Sequence, residues 1–404
     1  MRQPPAAAPP PSGRRRPSSR ALAEEFRQTG ETLFAAAPLY RALCCGAAAD
    51  ERLLDLAAAA SPGQSPVLML LGAVHFLVLR GARHPLSELY AEVAAQWPAA
   101  APAAPAAAEA SWFALFRDFC LSREKEIRPL VARRVQTNEV GRSVFIRLAL
   151  EWLALERSLG ELSLVEIGAS AGLNLCWDSF GMRLVFPDLG EDGKEVVRMA
   201  GDRRSPVQLR CEVGLGEGGE GGEGRPRGQA ERPSRVQATL AGLAAGAPLP
   251  PVVERLGMEI EPPDLERPAE ADWLRAFLWP EQPERRARFD AAIDLGRRHR
   301  WPVVKADASR DLLRESARLR ADTQLCLVHT YLVTQLTRET RSDLRAQIGQ
   351  LSRAREVIQI GVEEPEDEVL LTVTFWKQGE TVAERVLGRC DPHGRRLDWR
   401  LGRP

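Results

Sequence analysis

The chain has 404 residues, 44% of them hydrophobic, with 55 basic and 55 acidic side chains and seven cysteines. That length suits two or three domains with ample core material, and a net charge of zero excludes whole-chain attraction to nucleic acid or an anionic membrane. The cysteines are scattered with no C-x-x-C spacing, which speaks against a disulfide framework or a zinc site and suits a reducing cytoplasm, so no metal is expected.

Residues 1–20 are rich in Pro, Ala and Arg without the apolar stretch of a signal peptide, and read as a disordered tail. From 21 to 158 the spacing predicts an all-helical domain. Leu33, Phe34, Leu39, Leu43, Leu53, Leu54 and Leu56 recur at helical intervals. Pro66 to Arg80, Pro85 to Val93, Ser111 to Cys120 and Glu139 to Arg157 each fit a helix punctuated by Gly or Pro. The longest apolar run, Val67 to Leu79, is shorter than the roughly 20 residues of a bilayer span. It reads as a core helix carrying His75 as a core histidine, and the Ala/Pro run from Pro98 to Ala108 as a surface loop. Thr137-Asn138-Glu139-Val140-Gly141-Arg142 stands where a helix begins. Thr137 or Asn138 caps it with Glu139 in its first turn, or else Asn138, Glu139 and Arg142 face a site and contact substrate.

Leu162 to Ile167 is an apolar strand that enters the small-residue turn Gly168-Ala169-Ser170-Ala171-Gly172 and opens into a helix carrying Leu173 and Asn174, with Asp178 on its early turns. Strand, turn and helix make a ligand cradle, since glycines let a backbone approach a ligand closely. A dinucleotide fingerprint needs glycines at the first, third and sixth positions, which here are Gly168, Ser170 and Leu173. A nucleophile elbow, Gly-x-Ser-x-Gly, is satisfied in full and makes Ser170 a candidate nucleophile of an α/β-hydrolase-like esterase.

Beyond the turn, Met182 to Phe186 and Val207 to Val213 read as strands. An insertion from about 187 to 250 carries a flexible Gly/Glu loop at Gly214 to Gly228. An alternating plan follows. Val252 to Ile260 is a strand ending near Glu259 and Glu261, Pro283 to Arg298 a helix, and Pro302 to Ala306 a strand ending at Asp307-Ala308. Asp311 to Arg320 is a helix, Leu325 to Val328 a strand ending at His329-Thr330-Tyr331, Ser342 to Ala354 a helix and Val357 to Val362 a strand. Alternation of this kind implies a parallel sheet with ligands at the carboxyl ends of its strands. Val369 to Trp376 and Thr381 to Leu387 form a hairpin around Gln378-Gly379, before a last strand at Leu397 to Leu401.

Glu166, Gly168 and Gly172, with Ser170 at the middle position, resemble the first motif of class I methyltransferases. The alternation and final hairpin are also what such a domain gives. No strand precedes the one that leads into Gly168, unlike the order of a hydrolase, although Ser170, Asp307 and His393 follow a triad order. The expected fold is therefore α/β, a Rossmann-like class I methyltransferase-type sheet over 159–404 closed by an antiparallel C-terminal hairpin, behind the all-helical domain. The resemblance implies that Glu166, Gly168, Ser170, Gly172 and Asn174 surround the methionine part of S-adenosylmethionine, that Glu259 or Glu261 receives the ribose hydroxyls, and that Asp307 and Ala308 face the adenine. His329 would take a proton from the acceptor. Asn138, Glu139, Arg142, Asp178 and Tyr331 would contact a small-molecule substrate.

Thr137-Asn138-Glu139 with Arg142, Glu166 to Asn174, Trp279-Pro280-Glu281-Gln282 with Arg285, and His329-Thr330-Tyr331 also resemble a bacterial family known only as a domain of unknown function, across roughly Phe26 to Leu401. The expectation is a cytoplasmic methyltransferase. A Ser170 esterase and a non-catalytic adenosyl-ligand binder are its alternatives, since fold does not fix function.

Overall fold

The computed structural model describes residues 18–96, 106–190, 194–216 and 235–400. The expected tail up to residue 17, the Ala/Pro run up to residue 105 and the Gly/Glu loop from residue 217 lie outside the described residues. Described ends of these segments belong to regular elements instead: Ser19 and Arg20 to helix Ser19–Glu31, Ala106 to Ala108 to helix Ala106–Ser122, and Gly214 to the strand Gln208–Leu215. The chain divides into two units. One holds the described residues up to Thr137 together with Arg267–Ala287, and the other holds Asn138–Glu266 and the residues from Arg288 onward. The sequence boundary at 158 gives way to one at Thr137. The segment Arg267–Ala287, distant in the chain, belongs with the first unit because Trp273, Ala276 and Phe277 complete its apolar core.

The described residues of the first unit are helical and contain no strand. Helix Pro66–Leu79 begins on Ser65, whose Oγ accepts the Leu68 amide, with Pro66 at the first position, where its missing N–H is not needed. Most of this helix, Val67 to Phe76 apart from Leu68, is buried, as its all-round apolar sequence requires. His75 sits in it as a core histidine, Nδ1 3.1 Å from the Ala276 carbonyl oxygen, and burial together with the charge of Arg286 pulls the imidazole down to about 3. Trp279 packs edge-on against Phe34 at 4.7 Å between ring centres.

The second unit is built on one sheet of eleven strands: β1 (Leu162–Ile167), β2 (Gly181–Phe186), β3 (Val196–Gly201), β4 (Gln208–Leu215), β5 (Val252–Glu259), β6 (Val303–Lys305), β7 (Gln324–Thr330), β8 (Val357–Glu363), β9 (Leu370–Lys377), β10 (Glu380–Cys390) and β11 (Arg396–Trp399). Their spatial order is β3-β2-β4-β11-β10-β9-β8-β7-β1-β5-β6. β6, β5, β1, β7 and β8 pair in parallel, so the protein is mixed α/β with a large, mostly parallel sheet. All six residues of β1 are buried, as a near-continuous apolar strand inside a parallel sheet must be. After β2, β3 and β4 at the far end of the sheet, the chain adds β5 and β6 on one side of β1 and then β7 and β8 on the other. The order therefore reverses beside the carboxyl end of β1, where open α/β sheets bind ligands.

β9 and β10 form the expected hairpin, with Lys377 paired to Glu380 across Gln378 (φ 56°) and Gly379 (φ 95°). Two left-handed residues match the twist of the flanking strands. Two expectations change. The hairpin does not close the sheet, because β11 pairs in parallel with β4, and the strands of the 187–250 insertion carry the same sheet on to an edge at β3. The helix expected after the small-residue turn is a 3-10 turn, Leu173–Ser179, because Phe180 is already extended to enter β2. Among the described residues no helix is long and apolar enough to cross a membrane.

Candidate functional site

At the carboxyl end of β1 the backbone turns through three left-handed residues, Gly168 (φ 71°), Ser170 (φ 50°) and Gly172 (φ 70°). A Cβ on Gly172 would lie 2.6 Å from Cγ2 of the β-branched Val303, and one on Gly168 2.9 Å from Leu332 Cδ1, so Gly172 needs glycine for space as well as for φ, and Gly168 chiefly for φ. Ser170 holds the same conformation against a cost of order 1–3 kcal/mol. Most amides of the turn are spent inside the protein, that of Ala171 excepted. Gly168 and Ala169 donate to the Met258 carbonyl, Ser170 to Glu259 Oε2 at 2.9 Å, Gly172 to the Ala169 carbonyl, and Leu173 to Asn138 Oδ1 at 3.1 Å. The one amide left over, that of Ala171, is too few for a phosphate cradle.

What lies beneath it is a carboxylate. Glu166 is 2% exposed. Its Oε1 accepts from Asn174 Nδ2 at 3.0 Å, and its Oε2 is buried without a partner. Burial pushes this acid up to about 8, with the Asn174 bond working against the rise and the charge of Glu259 adding to it. Asn174 is held in turn by Ser143, whose hydroxyl donates to Asn174 Oδ1 at 2.9 Å. This bond fixes the amide so that its NH2 faces Glu166. Glu259, at the end of β5, accepts from the amides of Ser170 and Ile260 at 2.9 and 2.8 Å, with the Glu261 amide at 3.4 Å. It ties the turn to the adjacent strand, while the Glu261 side chain is exposed.

The segment from Asn138 comes to the same end of the sheet. Asn138 holds the turn through Leu173, and the short 3-10 turn Val140–Arg142 follows it. Glu139 is buried, with Oε1 accepting the Gly141 amide at 3.0 Å and Oε2 3.0 Å from His393 Nδ1. Arg142 Nε donates to the Pro392 carbonyl at 2.9 Å, and its guanidinium stacks on the Tyr331 ring at 3.9 Å. Tyr331 is itself left-handed (φ 54°), and burial together with the charge of Glu364 raises its phenol.

The structure gives other candidates different work. His329, expected as a base, is 4% exposed and has both ring nitrogens engaged. Trp376 Nε1 donates to Gln359 Oε1, so the Gln359 NH2 donates to His329 Nε2 at 2.8 Å, and His329 Nδ1 donates to Glu363 Oε1 at 2.7 Å. With neither nitrogen open to a ligand, His329 positions Glu363, which also receives the Leu332 amide at 2.9 Å and the Thr334 amide at 3.2 Å. Burial pushes the Glu363 carboxyl up, but its bonds from His329 and the amides of Leu332 and Val333 prevail and leave it below its ordinary value. Asp307 is the N-cap of helix Ala308–Ser316, which opens on Ala308, and it accepts from the Ser309 amide at 3.0 Å and the Ser309 hydroxyl at 2.7 Å. Asp178 pairs with the buried Arg255 at 2.5 Å.

Ser170, Asp307 and His393 do not form a relay. The Ser170 hydroxyl is buried without a partner, Asp307 is spent on its cap, and His393 pairs with Glu139. The structure thus brings Asn138, Glu166, Gly168, Ser170, Gly172, Asn174 and Glu259 into one network, with Glu139, Arg142 and Tyr331 beside it. Sequence reasoning missed Ser143, Gln359 and Glu363, whose local contexts carry no motif. Among the described residues no group of three or more His, Cys, Asp or Glu side chains is placed to hold a metal ion.

The family described as "Uncharacterized protein conserved in bacteria (DUF2332)" matches residues 23–399. No curated protein and no solved structure matches the chain.

Proposed function

We propose that this chain, which belongs to the DUF2332 family of uncharacterised bacterial proteins, is a methyltransferase that binds S-adenosylmethionine at the carboxyl end of β1 and acts on a small-molecule acceptor. The observation that carries this reading is the orphaned Glu166 Oε2, a buried acceptor under a left-handed turn at the switch point of the sheet. An unmade hydrogen bond of this kind costs about 1–3 kcal/mol, which a ligand ammonium would return.

The order β6-β5-β1-β7-β8 supports a Rossmann-like arrangement with its first strand in the centre. A turn with most of its amides already used, above an unpaired carboxylate, favours the cationic amino acid end of S-adenosylmethionine over a phosphate. Glu166 would receive the ammonium, and Gly168, Ser170 and Gly172 would let the backbone approach. Three amides fall near Glu259, and a carboxylate has about four acceptor sites, which leaves capacity for a ribose hydroxyl. When bound, the cofactor supplies an electrophilic methyl group on a positively charged sulfur.

Calorimetric titration with S-adenosylmethionine and S-adenosylhomocysteine tests this. The wild type is expected to bind both, and ligand at about 100 times its Kd to stabilise the fold by roughly 2.7 kcal/mol. Glu166→Ala should lose binding and Ser170→Ala largely keep it. A wild type that binds neither ligand refutes the proposal.

A further inference from the structure

Glu139 and His393 are 254 residues apart in the chain, yet their side chains form one unit, with Nδ1 of the imidazole 3.0 Å from Glu139 Oε2. Glu139 is buried, whereas the His393 side chain keeps a quarter of its surface exposed. Among the described residues no hydrogen bond reaches His393 Nε2. A buried carboxylate on Nδ1 fixes the tautomer and ring orientation and leaves Nε2 as the acceptor, the arrangement by which a carboxylate prepares a histidine to take a proton. His329 lacks this property, because Gln359 already occupies its Nε2.

The unit is also held in place. The His393 amide donates to Asp391 Oδ1 at 2.8 Å, Arg395 pairs with Asp391, and Arg142 bonds the Pro392 carbonyl. Arg142, Asp391 and Arg395 are thus charged neighbours of the pair. Residue 138, next to Glu139, bonds the turn over Glu166, and Arg142 stacks on Tyr331 just past the end of β7. The pair therefore stands at the end of the sheet that carries the orphaned carboxylate.

We propose that His393, oriented by Glu139, takes the proton of the methyl acceptor, a role the sequence suggested for His329. The inference rests on the methyltransferase reading above. As the acceptor's oxygen or nitrogen forms its bond to the methyl carbon, the carbon–sulfur bond breaks with its electron pair on sulfur. The acceptor's proton passes to His393 Nε2, Glu139 stabilises the resulting imidazolium, and the proton then leaves to water.

The test needs no acceptor. In protein labelled with 15N-histidine, His393 is assigned among the five histidines by His393→Gln, and its ring shifts are read at one fixed pH with S-adenosylmethionine and then with S-adenosylhomocysteine. The two ligands differ by the methyl group and by the permanent charge on sulfur. A charge a few ångströms from the ring should lower the ratio of protonated to unprotonated His393 in the S-adenosylmethionine complex by on the order of tenfold, with the His329 signals unchanged between the complexes. Glu139→Gln should lower the protonated ratio of His393 in either complex and keep ligand affinity within about threefold, which also reports that it folds. Equal His393 ratios in the two wild-type complexes, or a proton on Nε2 with none on Nδ1, overturn the proposal. Failure of both ligands to bind overturns the cofactor reading itself.

Discussion

Glu166→Gln is expected to make the fold more stable at pH 8.5 and, at the same pH, to weaken S-adenosylmethionine binding at least tenfold. The carboxyl is fully enclosed and its burial pushes it up to about 8. A carboxyl raised in the folded state contributes stability that is fully present below its unfolded value near 4.5 and is lost as pH rises through 8. Above pH 8 the wild type must hold a buried charge with one oxygen unpaired, whereas glutamine keeps the acceptor for Asn174 and carries no charge. Its unpaired NH2 offsets part of the gain, leaving a net stabilisation of roughly 1–3 kcal/mol. The advantage should be near zero at pH 4.5, grow between pH 5 and 8, and level off above. Thermal unfolding of both proteins across that range checks it, and a glutamine variant less stable than wild type at pH 8.5 would show that Glu166 is a structural anion. Gain of stability with loss of affinity is the usual mark of a group kept for binding.

Gly141→Ala should be the most damaging single methyl group at this end of the sheet. Its Cβ would stand 2.0 Å from the His393 carbonyl oxygen and 3.1 Å from Glu139 Oε1, and a Cβ on Gly394 would in turn meet the Gly141 carbonyl oxygen at 2.0 Å. Two backbones interlock here, so neither yields as a flexible side chain would. Overpacking of this kind costs about 1–3 kcal/mol, and relief requires moving the loop that carries His393. Urea unfolding should show a lower midpoint at unchanged slope. Gly160→Ala is the control, since nothing lies within 4 Å of its added Cβ and its effect should stay within about 0.5 kcal/mol. A Gly141→Ala protein as stable as Gly160→Ala would mean that the interlock is absent.

The central strands were legible because burial on both faces leaves a short apolar run with turn residues at its ends, as in β1 and β8. The left-handed turn was legible from Gly168 and Gly172, whose positive φ favours glycine. The 3-10 turn after it was not, since Leu173 to Ser179 has ordinary helix formers and only the entry of Phe180 into β2 stops it. β3 was missed although its partner β2 lies just before it in the chain, because most of its residues are not buried and leave no apolar run. β4, legible as a strand, could not be placed in the sheet because it reaches β11 across more than 180 residues. The transfer of Arg267–Ala287 to the first unit is invisible locally for the same reason. His329 looked like a base because it ends a strand. What ties up its ring is Gln359 and Glu363, 30 and 34 residues further on.

In the function proposed above, Glu166 receives the cationic end of S-adenosylmethionine. The most direct test is the number of protons released on binding, obtained by calorimetry at pH 7 in buffers of different ionisation enthalpy. An acid near 8 is mostly protonated at pH 7 in the free protein and must ionise to pair with an ammonium, so binding is expected to release more than about half a proton per ligand. That release should disappear in Glu166→Gln. Tight binding with no proton released, or the same release from both proteins, would mean that Glu166 does not receive the ammonium.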